Sequence, residues 1–271
     1  MIGFGQNVNI PDANFKAYLV GNTAINTNGD AEIQVSEAIV FNGTIDCNNL
    51  NISDLTGIEA FTALTDLNCS GNMLTSLDVS LNTALTNLNC SGNMLTSLDV
   101  SANTALLVLD CKNNQLTSLN VSNNTSLTNF YCYGNQLTSL DVSQNTALIW
   151  LNCGQSLLTN LDVSTNTTLT YLRCSDNQLT SLDVSANTAL TNLRCDWNQL
   201  TNLDVSQNAA LTDLWCWQNQ LTSLDVRNGN NTNFTFFDIT NNTNLSCINV
   251  DDSAWSTTNW TNIDSQHYFS N

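Results

Sequence analysis

The side chains in this sequence that are best suited to binding a partner are aromatic residues and arginines at equivalent positions of a repeated segment. They flank a Leu-x-Cys motif, and in later copies they replace the small polar residues of earlier copies. Trp, Tyr and Arg are the residue types that contribute most binding energy at interfaces. The candidate ligand-binding residues are Tyr131, Tyr133, Trp150, Tyr171, Arg173, Arg194, Trp197, Trp215 and Trp217.

An exposed cluster of these residue types predicts a binding surface, because large apolar patches on a surface usually serve a partner. Stacking on the aromatic rings suits sugars, and Arg173 and Arg194 suit acidic groups. The expected ligand is therefore a protein or a carbohydrate. The alternative is that the aromatic and arginine side chains stack on one another and only stiffen the sheet.

A second candidate site lies in the segment INTNGDAEIQVSEA, residues 25–38. It follows the calcium-loop pattern D-x-[DN]-x-[DN]-G-x5-E, except that Asn26 replaces the first Asp and Ala31 replaces the Gly. Both departures should weaken calcium binding, so the alternative is a loop of similar shape that packs as an end cap. Ca²⁺ is the only cofactor that the sequence suggests. The candidate ligands are Asn26, Asn28, Asp30, Glu32 through its carbonyl, Gln34 and Glu37.

An aspartate also recurs in the segment LDVS of successive repeats, at Asp78, Asp99, Asp141, Asp162, Asp183, Asp204 and Asp225. Carboxylates stacked about 5 Å apart on neighbouring strands repel one another, so each needs a compensating interaction. Hydrogen bonds from the following Ser or from turn amides are the simplest explanation. Cations that bridge successive aspartates, or an ice-binding plane built on the equally regular threonines, are the alternatives.

Catalysis, nucleic-acid binding and membrane insertion are not expected. The sequence has one histidine, His267, and shows no phosphate-binding glycine loop or nucleophile elbow. Its net charge of −18 disfavours nucleic acid and anionic membrane surfaces as partners. No apolar run approaches the roughly 20 residues that a membrane helix requires.

The candidate residues are carried by a repeat of the form LxxLxCxxNxLTxLDVSxNTA. Cysteines recur every 21 residues, at Cys69, Cys90, Cys111, Cys132, Cys153, Cys174, Cys195 and Cys216. One unit cannot fold alone, because ordering a residue costs roughly 1–2 kcal/mol and burying a Leu or Val returns about 1.5–3 kcal/mol. Stacked units share a continuous core, so the sequence predicts a solenoid with two narrow parallel sheets and a ladder of buried free thiols.

The ends of the chain depart from the repeat and are predicted to be caps. Residues 11–20 read as a short amphipathic helix, and residues 251–271 form an aromatic, irregular segment. The predicted domains are an N-terminal cap at 1–43, the repeats at 44–250 and a C-terminal cap at 251–271. Met1 to Phe4 lack the basic start and apolar core of a signal peptide. Any signal or anchoring segment is therefore expected outside this sequence.

The motif LxxLxCxxNxL resembles the leucine-rich repeat signature, with Cys in place of the third Leu. The 21-residue step with its cysteine ladder is similar to the internalin J-type repeats of bacterial surface proteins. The segments IPDANFKAYL and NTNGDAEIQVSEA followed by LTSLDVSxNTALTxLxC resemble secreted leucine-rich repeat proteins of Bacteroidetes. In such repeats the Asn of the motif, as at Asn93 and Asn177, turns inward to hydrogen-bond the backbone.

This resemblance implies a mostly β, right-handed leucine-rich repeat solenoid of about ten coils, with parallel sheets, a small helical N-terminal cap and an irregular C-terminal cap. It implies a secreted or cell-surface protein that acts in adhesion or ligand binding and is not an enzyme. A monomer is expected rather than an oligomer. The alternative is a structural spacer or self-associating envelope rod without a defined ligand.

Overall fold

The computed structural model describes residues 6–271, so the first five residues of the predicted N-terminal cap lie outside the described residues. The chain divides into two compact units, Met1–Leu127 and Thr128–Asn271. The structure contains three short helices and many three-residue strands. The predicted domain boundaries at residues 43 and 250 remain predictions.

The first unit begins with the predicted helix, here α1 at Ala13–Gly21. It starts two residues later than expected, because Asp12 is its N-cap and accepts the backbone N–H groups of Asn14 and Phe15 at 2.9 and 3.0 Å. Helix α2 (Val35–Ala38) and a 3-10 turn (Ile58–Ala60) are its other helical segments. The strands of this unit, paired in parallel and in chain order, are β1 (Thr44–Asp46), β2 (Asp66–Asn68), β3 (Asn87–Asn89) and β4 (Val108–Asp110).

The second unit contains two parallel sheets and the C-terminal helix α3, Ser253–Asn259. The strands of its first sheet are β5 (Asn129–Tyr131), β6 (Trp150–Asn152), β7 (Tyr171–Arg173), β8 (Asn192–Arg194), β10 (Asp213–Trp215) and β12 (Phe236–Asp238). The strands of its second sheet are β9 (Asn202–Asp204), β11 (Ser223–Asp225), β13 (Cys247–Asn249) and β14 (Tyr268–Ser270).

The second sheet is shorter than the sequence suggested. Its ladder joins only strands between residues 202 and 270, and the LDV segments of the other described coils form no strand. Each such segment is three residues long, so a ladder there rests on very few backbone bonds. It forms where Val205 N–H lies 2.9 Å from Asp225 O and Val226 N–H lies 2.9 Å from Asn249 O.

The core consists of the inward Leu, Val and Cys side chains of successive coils. Leu151 pairs in register with Leu172, and Cys153, which follows strand β6, donates its N–H to Arg173 O at 2.9 Å. All ten cysteines lie in the described range and are free thiols, and the nine from Cys47 to Cys216 are fully buried. Burial raises the pKa of Cys153 to about 12, so this thiol stays protonated and acts as a small apolar side chain.

Successive coils are joined by the asparagine that follows each cysteine. The Nδ2 group of Asn177 donates to Cys153 O and Cys174 O, both at 3.1 Å, and its Oδ1 accepts Leu158 N–H at 3.0 Å. One amide therefore bridges backbone groups of two coils that the turn would otherwise leave unpaired. The same bridge occurs at Asn72, Asn93, Asn114, Asn198 and Asn219.

A second ladder of fully buried asparagines comes from the NTA turn of the repeat. Asn187 Nδ2 donates to Val163 O at 3.0 Å and to Asn166 O at 2.8 Å, so it also ties its coil to the preceding ones. The sequence did not predict that this asparagine is buried. The members of this ladder are Asn82, Asn103, Asn124, Asn145, Asn166, Asn187 and Asn208, each 0% exposed.

One coil lacks this asparagine, because Ser156 stands three residues after Cys153 in its place. Its buried Oγ has no hydrogen-bond partner within the described chain, although β5 and β6, whose coils this position would join, keep their register. We expect Ser156→Asn to raise the free energy of unfolding by about 1–2 kcal/mol, since the new amide can bridge Cys132 O and Cys153 O. Denaturation in guanidinium chloride measures this change.

The opposite substitution in the next coil, Asn177→Ser, is the matched control. It removes three backbone partners from the buried turn, and we expect it to lower the free energy of unfolding by about 2–4 kcal/mol. Equal effects of the same sign from both variants would contradict the structural role assigned to this amide.

Candidate functional site

All nine candidate ligand-binding residues belong to the second unit, in or directly after the strands of its first sheet. Parallel register places the first strand residues in one column, in which Asn129, Trp150, Tyr171, Asn192, Asp213 and Phe236 succeed one another. The third strand residues form a second column, in which Tyr131, Asn152, Arg173, Arg194, Trp215 and Asp238 succeed one another. We call the outward surface of these two columns, together with Tyr133, Trp197 and Trp217, the aromatic face.

The first cluster on the aromatic face is a stack of rings. Trp150 and Tyr171 are direct neighbours on β6 and β7, with ring centroids 3.6 Å apart and planes at 6°. Tyr131 approaches Trp150 with centroids 6.3 Å apart. Tyr133, which follows Cys132, is half-buried nearby in sequence. Because Trp150 and Tyr171 cover each other, one face of each ring is already in contact.

The second cluster is a sandwich around Trp215. The guanidinium carbon of Arg194 lies 3.5 Å from the Trp215 ring centroid. Phe236 stacks on the same ring with centroids 4.0 Å apart and planes at 26°. Phe236 was not a predicted site residue. Its position at the start of a strand-like segment could have indicated that it belongs to this surface. Arg194, Trp215 and Phe236 thus form one continuous stack.

Trp197 is the most exposed aromatic residue of the aromatic face, with 49% of its surface accessible. Its backbone φ is 54°, in the left-handed region that is unfavourable for a bulky side chain. The equivalent turn position has a positive φ in other coils too, where it holds glycine or a polar residue rather than an aromatic one: Gly71, Gly92, Asn113, Gly134, Gln155, Asp176 and Gln218. Its ring meets Trp217 edge-on, with centroids 5.4 Å apart. A strained and exposed tryptophan is poorly explained by scaffold stability.

Several donors on the aromatic face have no acceptor. Trp150 Nε1, Arg194 Nε and Trp215 Nε1 are shielded from solvent and lack a hydrogen-bond partner among residues 6–271. Each such group costs about 1–3 kcal/mol. Arg173 differs, because its Nε donates to Ser175 Oγ at 2.9 Å. The side chains of the aromatic face are therefore held mainly by stacking.

The structure gathers the candidate calcium ligands in one loop, where they are bonded to each other and to the backbone. Glu37 Oε1 accepts Thr27 N–H at 2.8 Å and Asn28 N–H at 3.2 Å, while its Oε2 accepts Gln34 N–H at 3.0 Å. Asp30 Oδ2 accepts from the side chains of Asn28 and Gln34 at 3.1 and 3.0 Å.

The other two candidate ligands have partners as well. Asn26 is buried and donates Nδ2 to Asp30 O at 2.8 Å, and Glu32 pairs with Lys16 at 2.7 Å. Within the part of the chain that the structure describes, no group of three or more His, Cys, Asp and Glu is placed to hold a metal ion. Calcium in this loop remains a prediction, since amide oxygens would have to complete the ligand set.

The aspartate ladder is satisfied by the backbone that follows it. Asp141 Oδ1 accepts Ser143 N–H at 2.9 Å, and Asp183 Oδ1 accepts Ser185 N–H at 2.9 Å. Hydrogen bonds from these serines lower the pKa of both carboxyl groups. The turn thereby stabilises the charged form despite the neighbouring aspartates. These distances support the explanation that hydrogen bonds from the following serine compensate the repulsion between neighbouring aspartates.

His267 belongs to the C-terminal segment and is buried. Its Nδ1 accepts Asp264 N–H at 3.1 Å, and its Nε2 lies 3.3 Å from Asn242 O. Both ring nitrogens thus contact the backbone of the last coil and its cap. No helix among residues 6–271 combines the length and apolar character that crossing a membrane requires.

Comparisons with known proteins identify a class of leucine-rich repeat proteins. Residues 31–145 match the family model described as the endo-beta-N-acetylglucosaminidase EndoS LRR domain. The structure of an internalin (InlF) from Listeria monocytogenes str. 4b F2365 is 20% identical to this chain, with a TM-score of 0.70. The match covers 100% of this chain and 94% of the internalin chain. That likeness shows the fold, and it agrees with the predicted mostly β leucine-rich repeat solenoid.

The functional domain of InlJ from Listeria monocytogenes, which includes a cysteine ladder, is 34% identical. The match covers 92% of this chain and 68% of that domain, with a TM-score of 0.55. This chain belongs to the same family of bacterial leucine-rich repeat proteins with cysteine-ladder repeats. Internalin J of L. monocytogenes serotype 4b (strain F2365) is 51% identical over 39 residues, which are 14% of this chain and only 4% of that protein.

The strain at Trp197 predicts that this residue adds little stability. In Trp197→Asn, loss of the contact with Trp217 costs about 0.5–1.5 kcal/mol. Relief of the positive φ returns about 1 kcal/mol, because Asn tolerates this region. We therefore expect the free energy of unfolding to stay within about 1 kcal/mol of wild type in chemical denaturation.

Trp217→Asn is the matched control, because it removes the same ring contact without relieving a positive φ. We expect it to lower the free energy of unfolding by about 1–3 kcal/mol. A loss at Trp197 as large as that at Trp217 would show that Trp197 belongs to the scaffold.

Glu37 predicts a pH-dependent contribution of the N-terminal loop to stability. Burial acts to raise its pKa, but hydrogen bonds from Gln34, Thr27 and Asn28 outweigh burial and hold it below the usual value. Stability from Glu37 is therefore present above the unfolded pKa of about 4.3 and is lost as pH falls through the folded pKa. We expect Glu37→Gln to lose about 1–3 kcal/mol at pH 7 and less in acid, measured by urea denaturation.

Glu32→Gln is the control, because Glu32 and Lys16 are both about a third or more exposed, at 40% and 34%. We expect it to change stability by less than about 1 kcal/mol. A pH-independent effect of Glu37→Gln would contradict the assignment.

A calcium titration of the melting temperature in wild type and Glu37→Gln tests the predicted ion, and an unchanged wild-type melting temperature in excess calcium rejects it.

Proposed function

We propose that this protein is an adhesion or ligand-binding module that recognises a protein or glycan partner through the aromatic face of its second unit. The observation that carries the proposal is Trp197, which is 49% exposed at a φ of 54°. Equivalent positions of other coils hold glycine or polar residues, so a large exposed aromatic ring at this turn is not what the scaffold requires. A residue kept at a cost to the fold is explained by what it contacts outside the fold.

The composition of the aromatic face supports the same proposal. Trp, Tyr and Arg act as interface anchors because they bury a large area at a small cost in conformational entropy. On this face their rotamers are already fixed by stacking, as in the pair of Trp150 and Tyr171 at 3.6 Å. A preorganised surface loses less entropy when a partner binds.

Binding is favoured over catalysis by the arrangement of titratable groups. The one histidine is buried in the C-terminal cap, and the repeated aspartates have alike environments with few reasons for their pKa values to diverge. Kinship with the InlJ domain supports a protein that acts outside the cell or at its surface. We place this module there as a monomer.

A binding array tests the proposal. Purified wild-type protein is applied to immobilised cell-surface proteins and glycans in parallel with an aromatic variant, Trp150→Ala/Tyr171→Ala/Trp197→Ala/Trp215→Ala. We expect the aromatic variant to lose at least about a hundredfold in affinity for the wild-type partner, because alanine at interface anchors costs 2 kcal/mol or more each.

Tyr268→Ala is the control, since Tyr268 is 58% exposed on strand β14 of the second sheet. It should bind like wild type. Circular dichroism and denaturation confirm that each variant is folded. Equal binding by the folded aromatic variant would exclude the aromatic face, and the absence of any partner for wild type would favour the structural spacer.

A further inference from the structure

The three arginines of this chain have different environments. Arg227 Nε donates to Asp225 Oδ1 at 2.9 Å and forms an ion pair with that carboxylate. Arg173 and Arg194 are direct neighbours in register on β7 and β8. No carboxylate oxygen in the described part of the chain lies within 4.0 Å of either guanidinium. This is unexpected in a chain that has 23 acidic residues and 5 lysines and arginines.

Placing two arginines side by side costs energy, because both remain charged and their strands are about 5 Å apart. The nearest acidic residues by sequence are Asp176, three residues after Arg173, and Asp196, two residues after Arg194 and 8% exposed. Burial raises the pKa of Asp196, while Arg173 and Arg194 act to lower it. Asp196 thus interacts electrostatically with both arginines without forming an ion pair with either. The repulsion between Arg173 and Arg194 is only partly compensated within the fold.

The two guanidinium groups are held in place by contacts that leave their outer nitrogens available. Arg173 uses its Nε for Ser175 Oγ at 2.9 Å. Arg194 lies on the Trp215 ring at 3.5 Å, and its terminal nitrogens, like those of Arg173, have no acceptor among the residues described. A guanidinium held in one orientation is well suited to bind a carboxylate through two parallel hydrogen bonds.

We propose that Arg173 and Arg194 form a two-arginine subsite that binds a carboxylate of an acidic protein segment lying along the aromatic face. This inference rests on the proposed function and specifies the chemistry of the partner. A carboxylate between the two guanidinium groups removes the repulsion between them and satisfies donors that the fold leaves open. We call this pair the arginine subsite.

A protein segment fits the surroundings of the arginine subsite better than an acidic glycan. Sugar recognition by aromatic residues requires a free ring face. Both faces of Trp215 are covered, by Arg194 and by Phe236 at 4.0 Å. Trp150 and Tyr171 each have one ring face covered by the other, at 3.6 Å, and neither ring is beside the arginine pair's stack on Trp215. A polypeptide can instead cross the ring edges and place an Asp or Glu side chain on the arginines.

Arginine-detected NMR tests the arginine subsite with defined probes. Hexaglutamate is titrated into the labelled protein, with hexaglutamine as the uncharged probe of equal length. We expect the Nε–H signals of Arg173 and Arg194 to shift with hexaglutamate and to stay in place with hexaglutamine. Affinity for hexaglutamate should fall at least about tenfold in Arg173→Gln/Arg194→Gln, as expected when charge-assisted hydrogen bonds are lost.

Arg227→Gln removes one positive charge two residues after strand β11 and should leave the affinity for hexaglutamate within about twofold, as each of Arg173→Gln and Arg194→Gln alone should not. Absence of the shifts, or an equal loss in Arg227→Gln, overturns the arginine subsite. A uronic-acid hexasaccharide is the third probe. Shifts with this saccharide and none with hexaglutamate overturn the assignment to a protein segment in favour of an acidic glycan.

The array separates this inference from the proposed function. If the aromatic variant loses its partner while Arg173→Gln/Arg194→Gln keeps it, the aromatic face binds and the arginine subsite is wrong. If both variants lose the partner and both are folded, both proposals stand. Retention of the partner by both variants rejects the two together.

Discussion

The structure depends on a side-chain amide that joins neighbouring coils through their backbone. Asn177 binds the carbonyl oxygens of Cys153 and Cys174 and the N–H of Leu158, so a single residue fixes the turn and the stacking of two coils. Repetition of this bond supports the in-register stacking of the strands, and the one coil with Ser156 keeps that register through its backbone bonds and core alone. Each outward side chain consequently lies directly beside its equivalent in the next coil, and the stacks of the aromatic face follow from that spacing.

The buried parts of the repeat could be predicted because they obey short local rules. The 21-residue spacing of cysteines such as Cys153 and Cys174 defined the coil, and the asparagine after each cysteine was expected to turn inward. The second ladder, represented by Asn187, was missed because NTA is also an ordinary turn sequence. Its recurrence every 21 residues, always three positions before a leucine such as Leu190, was the signal for burial. The second sheet was overestimated because three-residue segments do not determine whether their ladder forms.

The geometry of the aromatic face could be predicted only in part. Register and alternation correctly grouped residues such as Trp150 and Tyr171, but their ring contact depends on rotamers that a sequence does not specify. The sequence did indicate the positive φ of Trp197, because glycines occupy the equivalent positions of other coils at Gly71, Gly92 and Gly134. The covered faces of Trp215 changed the expected ligand, because they leave ring edges and arginine nitrogens for contact and weaken the case for sugar stacking.

In the proposed function a partner binds the aromatic face of the second unit, while the repeated residues serve the fold. Hydroxyl-radical footprinting of the protein with a partner from the array tests this claim most directly, because tryptophan and tyrosine side chains react readily where they are exposed. If the partner covers the aromatic face, Trp197 and Trp217 are protected from the radical in the complex, and the reactivity of Tyr268 is unchanged. Protection of Tyr268 with undiminished reactivity of Trp197 would contradict it.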